Sequence, residues 1–377
     1  MNFLLLAPSL EKGGSERFIS NLSMLLSKEH QVTVAIFDNI VDYSVGGTLY
    51  DMKAPVKNGF VKRTLTFFER CIKFKKLVKK FRPDVVLSVM DSANRVNIAC
   101  KTKGVKQFVS CRGFADLLKT SKFFIKGVQR TSGVIFNSKE ARDYFCKVYG
   151  GSEDKSFYNY NLIDFDKISE NIKEPIDDAD LEKFLADHRC IVNVGRLAKV
   201  KCQVSLIKAF EILQKKVPDA GLVIVGGNGN YVEEVRKAAK DSPVSEHIFM
   251  AGNRDNPHNI MSKCYLYALS SETEGFPNAL IEAMASGLPV VSSDCMTGPG
   301  EILRKEICDK KAEDVTVSDY GILTPLIEGN EGKYASALEL LMVDNEMYNS
   351  MKKAAGLRAL MFSPEEAIKD FMEIIGG

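Results

Sequence analysis

Ser270-Ser271-Glu272-Thr273-Glu274-Gly275-Phe276-Pro277-Asn278-Ala279-Leu280-Ile281-Glu282-Ala283-Met284-Ala285-Ser286-Gly287-Leu288-Pro289 holds a strand end, a loop and a helix in order. The apolar run Tyr265–Ser270 predicts a buried strand leading into it, and Pro289–Ser292 predicts the next. Pro277 stands where its fixed φ and missing N–H suit the first helical position. Gly287, with Pro289 behind it, marks the stop. Strand, helix, strand is the repeating unit of a parallel sheet. Glu274 falls in the loop and Glu282 about one and a half turns inside the helix, so both carboxylates can face one ligand from the same side. Carboxylates accept hydrogen bonds from sugar hydroxyls. A structural reading also fits, with Glu274 as a charge at the helix N-terminus and Glu282 on a solvated face.

The same alternation extends in both directions. Cys190–Val194, Gly221–Val225 and His247–Ala251 predict strands, with helices over Gln203–Lys215 and Tyr231–Lys240. Towards the N-terminus, Phe3–Leu6, Val32–Phe37, Asp84–Met90, Gln107–Ser110 and Gly133–Asn137 read as strands. Ser15–Lys28 is helical in period, with Phe18, Leu22, Leu25 and Leu26 on one face. Ser152–Asp180 is polar, contains Pro175 and the run Tyr158-Asn159-Tyr160-Asn161, and reads as a connection. The pattern predicts an α/β protein of two Rossmann-like, doubly wound domains, residues 1–165 and 166–361, facing a central cleft. Ligands of such sheets bind beyond the carboxyl ends of the strands.

At 377 residues and 45% hydrophobic, the chain is long enough for two cores. It has no apolar run of about 18 residues, so no membrane span is expected. The opening run Met1–Pro8 lacks a basic leader, its apolar stretch stops after about six residues, and it reads as a buried strand rather than a signal peptide. Nine cysteines without a C-x-x-C pair read as core residues of a reducing compartment. Four scattered histidines argue against an imidazole metal site. The net charge of +2 hides an asymmetry: residues 1–165 carry 27 Lys+Arg against 15 Asp+Glu, and residues 166–377 carry 24 against 34. The two halves therefore face different partners, or face each other.

Three further motifs lie at strand ends. In Lys12-Gly13-Gly14-Ser15-Glu16 two glycines let the backbone approach an anion near a helix start; a tight turn with Ser15 as N-cap is the plain alternative. In Val194-Gly195-Arg196-Leu197-Ala198-Lys199-Val200-Lys201, a guanidinium and an ammonium suit phosphate oxygens, against a solvated basic loop. Val225-Gly226-Gly227-Asn228-Gly229 lacks the full dinucleotide spacing, so it does not imply a Rossmann cofactor, and packing alone would account for its glycines.

Taken together, the E-G-F-P-N-x-x-x-E segment, the G-G-x-E start, the G-R-L-x-x-x-K segment and Ser293-Asp294-Cys295-Met296-Thr297-Gly298-Pro299-Gly300-Glu301 fall in the order of glycosyltransferase family 4. The chain resembles that family, retaining enzymes of GT-B fold, over essentially its whole length. The resemblance implies a final helix, residues 362–377, crossing back to the N-terminal domain. It implies that Gly13 and Gly14 lie against a donor diphosphate and that Gly195, Arg196 and Lys201 bind and neutralise that group as it leaves. Glu282 would bind ribose hydroxyls. Glu274, with Gly275, Phe276, Pro277 and Asn278, would hold the donor sugar. Many relatives carry a histidine where this chain has Ser110-Cys111-Arg112-Gly113, so Arg112 would take its place. Asp91 and Asn94, after a predicted strand, are further cleft candidates. Asp164-Phe165-Asp166 is reminiscent of a metal-binding D-x-D, which this family does not need. No metal and no cofactor beyond the nucleotide-sugar donor, a UDP-sugar, is implied.

Lys62–Arg82 holds nine Lys+Arg and one acid, Glu69, interleaved with Phe67, Phe68, Cys71, Phe74, Leu77, Val78 and Phe81 at helical spacing. Lys119, Lys122, Lys126, Phe123 and Phe124 repeat the pattern. Such a helix can lie on an anionic membrane, or pack its apolar stripe on the sheet and leave a basic face in water. No nucleic-acid module is present. The expectation is an enzyme acting at the inner face of the cell membrane, moving a hexose or N-acetylhexosamine to a lipid-linked or surface-glycan acceptor. A sugar-nucleotide epimerase or hydrolase of the same fold, or a non-catalytic sugar-nucleotide-binding subunit, are the rivals.

Overall fold

The computed structural model describes residues 1–11, 13–113, 117–118, 121–306, 308 and 310–376. The chain divides into two compact units, Met1–Leu162 with Pro364–Gly377, and Ile163–Ser363.

In the first unit, seven parallel strands are ordered β3-β2-β1-β4-β5-β6-β7. They are β1 (Asn2–Ala7), β2 (Gln31–Ile36), β3 (Thr48–Asp51), β4 (Val85–Val89), β5 (Lys106–Cys111), β6 (Gly133–Phe136) and β7 (Ser156–Tyr158). The apolar runs are continuous because both faces are covered. Phe3, Leu5 and Ala7 of β1 meet Phe18 and Leu22 of the helix Gly14–Leu26 and Phe371 and Ile375 of the C-terminal helix Pro364–Gly376. Leu4 and Leu6 face the other way, onto Phe74, Leu77 and Val78 of the helix Phe60–Phe81. Asn159 Nδ2 donates to Ala367 O at 2.8 Å, and Lys106 Nζ donates to Ile375 O at 2.9 Å, tying the C-terminal helix to this unit.

The second unit repeats the plan with strand order β10-β9-β8-β11-β12-β14-β13. Its strands are β8 (Arg189–Val194), β9 (Ala220–Val225), β10 (Ile248–Gly252), β11 (Leu266–Leu269), β12 (Val290–Ser293), β13 (Thr316–Val317) and β14 (Ile322–Thr324). Only β13 runs antiparallel, against β14. In each sheet the strand order reverses beside the first strand, β1 next to β4 and β8 next to β11. That is where a doubly wound fold places its ligands.

Four sequence expectations need correction. The polar stretch Ser152–Asp180 is not a bare connection: it contains edge strand β7 and the helices Phe165–Asn171 and Ala179–Asp187. Its polar residues are absorbed locally; Asp164, the first acid of the D-x-D run, accepts from Lys167 N at 2.9 Å as an N-cap, and Asp178 caps the next helix. The helix Gly14–Leu26 starts from Gly13, not from Ser15. The helix after the E-G-F-P run covers Asn278–Ala285, with Pro277 as its N-cap rather than its first helical residue, since its ψ of 94° is still extended. Its end is as read: Gly287 N donates to Met284 O and Leu288 N to Ala283 O, with Gly287 at φ +85°, the paired bonds of a glycine-terminated helix. Finally, the stripe on Phe60–Phe81 is split. Phe74, Leu77 and Val78 pack on the sheet, and Arg70 is buried with them, its Nε donating to Ala54 O at 2.9 Å and its guanidinium 4.1 Å from the Phe37 ring. Phe60, Val61, Leu65, Phe68 and Ile72 stay exposed.

Candidate active site

In the second unit the loops after β8 and β11 carry the two sequence motifs to one place. Lys201 Nζ donates to Glu274 Oε1 at 2.5 Å, and Ser271 Oγ donates to the same oxygen at 2.6 Å. The loops are locked by their backbones: Glu272 N donates to Val200 O at 2.9 Å, and Ser270 Oγ donates to Lys201 O at 2.7 Å. The Glu274 side chain is 9% exposed and Lys201 22%, so the pair sits at the rim of the sheet with the ammonium in reach of solvent. An ammonium so placed meets phosphate oxygens without leaving a carboxylate uncompensated behind it.

Glu274 and the residues after it are held by the loop beyond β12. Glu274 N donates to Met296 O at 3.1 Å. Thr297 Oγ1 lies 2.8 Å from Glu274 O and 2.9 Å from Gly275 O. Gly298 has φ +98°, and a Cβ there would stand 2.6 Å from Pro277 Cδ, so this close approach requires glycine. Phe276 is buried against Phe362, ring centroids 5.6 Å apart. Beneath the loop, Asp294 is buried and held by Arg304 Nη2 at 2.5 Å and Ala312 N at 2.7 Å. Thr297 and Gly298 lie in a run read for order alone; glycine followed by proline at a helix start was the available signal for their role.

Arg196 is exposed, and its carbonyl accepts from Gln203 Nε2 at 3.0 Å. Gly195 N donates to Val225 O at 3.0 Å. The glycine run after β9 packs against this loop: a Cβ on Gly226 would stand 2.0 Å from Gly195 O, and one on Gly229 2.0 Å from Leu197 O. Those glycines serve backbone contact, the plainer of their two readings. Asn278 opens the helix that carries Glu282. Glu282 is 4% exposed, which excludes the solvated face, and its Oε2 lies 3.5 Å from His258 Nε2. The structure thus joins Lys201 to Glu274 past the carboxyl ends of β8 and β11, on loops that also carry Gly195, Arg196, Gly275, Phe276 and Pro277; Asn278 and Glu282 lie in the helix that follows, Glu282 beside His258.

The first unit presents a separate concavity of about 250 Å³, lined by Ser15, Met90, Asp91, Asn94, Ser110 and Arg112 among others. Arg112 is buried, stacked 3.5 Å from the Phe18 ring centroid, and donates to Asn159 O at 3.2 Å and Asn161 Oδ1 at 2.6 Å. These acceptors are neutral, and burial pushes the guanidinium down to about 9. Asp91 begins the helix Asp91–Ala99, exposed and bridged by Arg95 Nε at 2.8 Å. Asn94 is a structural tie: it accepts from Ser88 Oγ at 2.8 Å and donates to Ser110 O at 2.8 Å, which spends both ends of its amide. Gly13 abuts Glu16, whose Oε2 would be 2.4 Å from a Cβ there, whereas Gly14 is exposed with open space in that direction. Lys12 and Lys119 lie outside the described residues. Among the described residues, no helix is long and apolar enough to cross a membrane.

The family model described as "Glycosyl transferases group 1" matches residues 178–358, and "Glycosyltransferase Family 4" matches residues 12–167. The chain is a glycosyltransferase of the family 4 type. This glycosyltransferase is 26% identical to the N-acetylgalactosamine-N,N'-diacetylbacillosaminyl-diphospho-undecaprenol 4-alpha-N-acetylgalactosaminyltransferase of Campylobacter jejuni, with 98% of each chain covered. It is 24% identical to an amylovoran biosynthesis glycosyltransferase of Erwinia amylovora, with 96% of each covered. Its fold is shared with the Anabaena protein HepE, whose crystal structure contains UDP; the TM-score is 0.78 at 18% identity, with 100% of each chain covered. The GT-B architecture expected from the sequence is thereby established, and with it an enzyme that transfers sugars.

Proposed function

We propose that this enzyme moves a hexose or N-acetylhexosamine from a UDP-sugar to a lipid-linked or surface-glycan acceptor, with retention at the anomeric carbon and without a metal. The observation that carries the reading is the Lys201–Glu274 pair at 2.5 Å, on the strand-end loops where the sheet order reverses. Lys201 and Arg196 neutralise the diphosphate as it leaves, stabilising charge that develops in the transition state. Glu274, with the backbone of Gly275, Phe276 and Pro277, receives the donor sugar's hydroxyls. Gly195 gives the diphosphate room, Asn278 lies at the helix start beside it, and Glu282 accepts from the ribose hydroxyls. In the first unit, Gly13, Gly14, Asp91 and Arg112 contact substrate. The printed substrate of the Campylobacter relative, a diphospho-undecaprenol glycan, supports a lipid-linked acceptor. The UDP in the Anabaena crystal supports the nucleotide.

The same reading puts the enzyme on the inner face of the membrane. Phe60 at 88% exposure, Val61, Leu65 and Phe68 share the helix Phe60–Phe81 with lysines and arginines, the composition that anionic lipid attracts.

The test is a thermal-shift panel of nucleotides and nucleotide sugars, with and without magnesium, on the wild type, Lys201→Ala and Glu282→Ala, followed by product analysis by NMR. A magnesium-independent shift with UDP compounds, weakened in both variants, and an α-linked product from an α-linked donor are expected. A folded protein that no nucleotide stabilises, or a product of inverted configuration, would overturn the reading.

A further inference from the structure

The segment around the helix His258–Met261 carries a histidine that the chemistry above does not use. His258 is 6% exposed. Its Nδ1 lies 3.0 Å from Asn171 Nδ2. An amide nitrogen only donates, so Nδ1 accepts and the neutral ring carries its proton on Nε2. Among the described residues Nε2 makes no hydrogen bond, and what it faces is Glu282 Oε2 at 3.5 Å.

The segment around the ring is fixed from several sides. Asn256 Oδ1 accepts from His258 N at 3.1 Å, and Asn256 Nδ2 donates to Asn171 O at 2.9 Å and to Glu174 Oε2 at 2.7 Å. Asn259 Nδ2 donates to Pro175 O at 3.0 Å. The segment is therefore bolted to the helix Phe165–Asn171 and the turn behind it, and the tautomer that aims a proton at Glu282 is set by Asn171.

We propose that His258 is a positioning residue for Glu282: its Nε2–H orients the buried carboxylate so that the oxygens meet the ribose hydroxyls of the donor in one rotamer. The inference rests on the reading that Glu282 binds ribose. A carboxylate on a helix has three χ angles to order, and a donor behind it removes that cost before the ligand arrives, as partners behind metal ligands do.

The experiment compares, by calorimetry, the affinities of UDP and 2′,3′-dideoxy-UDP for the wild type, Glu282→Ala, His258→Met and His258→Gln. Met and Gln have similar size and reach, and only Gln carries an N–H at the imidazole Nε2 position. The expected result is a wild-type preference for UDP that Glu282→Ala abolishes. His258→Met should lower that preference about fivefold, less than a full hydrogen bond to a charged group gives because Nε2 and Oε2 stand 3.5 Å apart. His258→Gln should keep it within about twofold, and affinity for the dideoxy compound should be level throughout. Loss of packing alone would weaken both nucleotides alike and would treat Met and Gln the same, and either pattern overturns the proposal. If Glu282→Ala retains the preference, the ribose reading itself fails and His258 falls with it. If Glu282→Ala loses it and His258→Met does not, only the positioning role is refuted. Should His258→Met not fold, His258→Phe, which keeps the ring volume without a donor, is read against Gln by the same criteria.

Discussion

In Ile163–Ser363 the candidate side chains hold one another, whereas in Met1–Leu162 they are held by the scaffold. Lys201, Glu274 and Ser271 form one bonded cluster across two loops, and Asp294 beneath them is compensated by Arg304 and Lys311. Arg112, by contrast, rests on a phenylalanine and neutral acceptors, and Asp91 pairs within its own helix. The charge follows the same division, with 27 bases against 15 acids in residues 1–165 and 24 against 34 afterwards. A cluster that neutralises itself suits a ligand of fixed chemistry, such as a nucleotide diphosphate. A buried cation resting on neutral groups, in a basic unit, suits a partner that brings its own negative charge.

The largest break in this contrast is Lys201→Ala. On the proposed function it removes a cation from the developing charge of the leaving group, and it takes from Glu274 its cationic partner, leaving the Ser271 hydroxyl. The turnover number should fall about 10²–10³-fold, as when a single preorganised donor is lost. Steady-state transfer assays check this; a change confined to KM would mean that Lys201 binds the ground state only. Next in size is Arg112→Met. Methionine removes the cost of burying an unpaired cation but also the donors to Asn159 O and Asn161 Oδ1; the two effects oppose, so the melting temperature should change little while transfer slows about tenfold or more. A fall in both would make Arg112 a structural residue. These two variants together separate a unit whose site residues are mutually stabilising from one whose site residue is carried at a cost.

The fold was readable because burial on both faces of a parallel sheet leaves unbroken apolar runs, as in Leu4–Leu6 and Val85–Leu87, and because glycine and proline punctuate what lies between. Lys201 and Glu274 were readable for a related reason: both sit just past strand ends, where the fold exposes backbone and side chains to ligand. What the sequence hid was direction. Asn94 follows a strand in the same way Asp91 does, yet its amide turns inward and binds Ser88 and Ser110. Helical spacing on Phe60–Phe81 did not say which apolar residues the sheet would take, because two faces of that helix are apolar. His258 escaped because its partners, Asn171 and Glu282, are distant in sequence and no local spacing announces them.

The exposed apolar residues of Phe60–Phe81 give a third prediction. Sedimentation with vesicles of phosphatidylglycerol and phosphatidylcholine should show binding that Phe60→Ser lowers about tenfold, in keeping with the roughly 1.5–3 kcal/mol that a buried phenylalanine contributes. Added salt should weaken it further through the neighbouring lysines. Equal binding to purely zwitterionic vesicles would remove the electrostatic part of the argument and leave the apolar part standing.

The smallest effect tests the comparison most finely, because it concerns a charge that the first unit buries. Glu16 is 8% exposed, and burial, its largest influence, raises its carboxyl above the usual range, with the charge of Glu11 adding to the shift. A raised carboxyl binds its proton more tightly in the folded chain than in the unfolded one. Stability therefore falls as pH rises through the interval between the unfolded and folded values, and above it the wild type bears the whole penalty. Glu16→Gln is uncharged and escapes that penalty, so it should melt at a higher temperature than the wild type at pH 7. Its advantage should shrink as the pH falls towards 4, where the wild-type carboxyl is protonated too. Melting curves of both proteins at pH 7 and pH 4.5 decide the matter. An advantage that does not depend on pH would come from packing around Gly13. A disadvantage at neutral pH would mean that the carboxylate is compensated in place, as Glu274 is by Lys201, and that the two units treat buried charge alike.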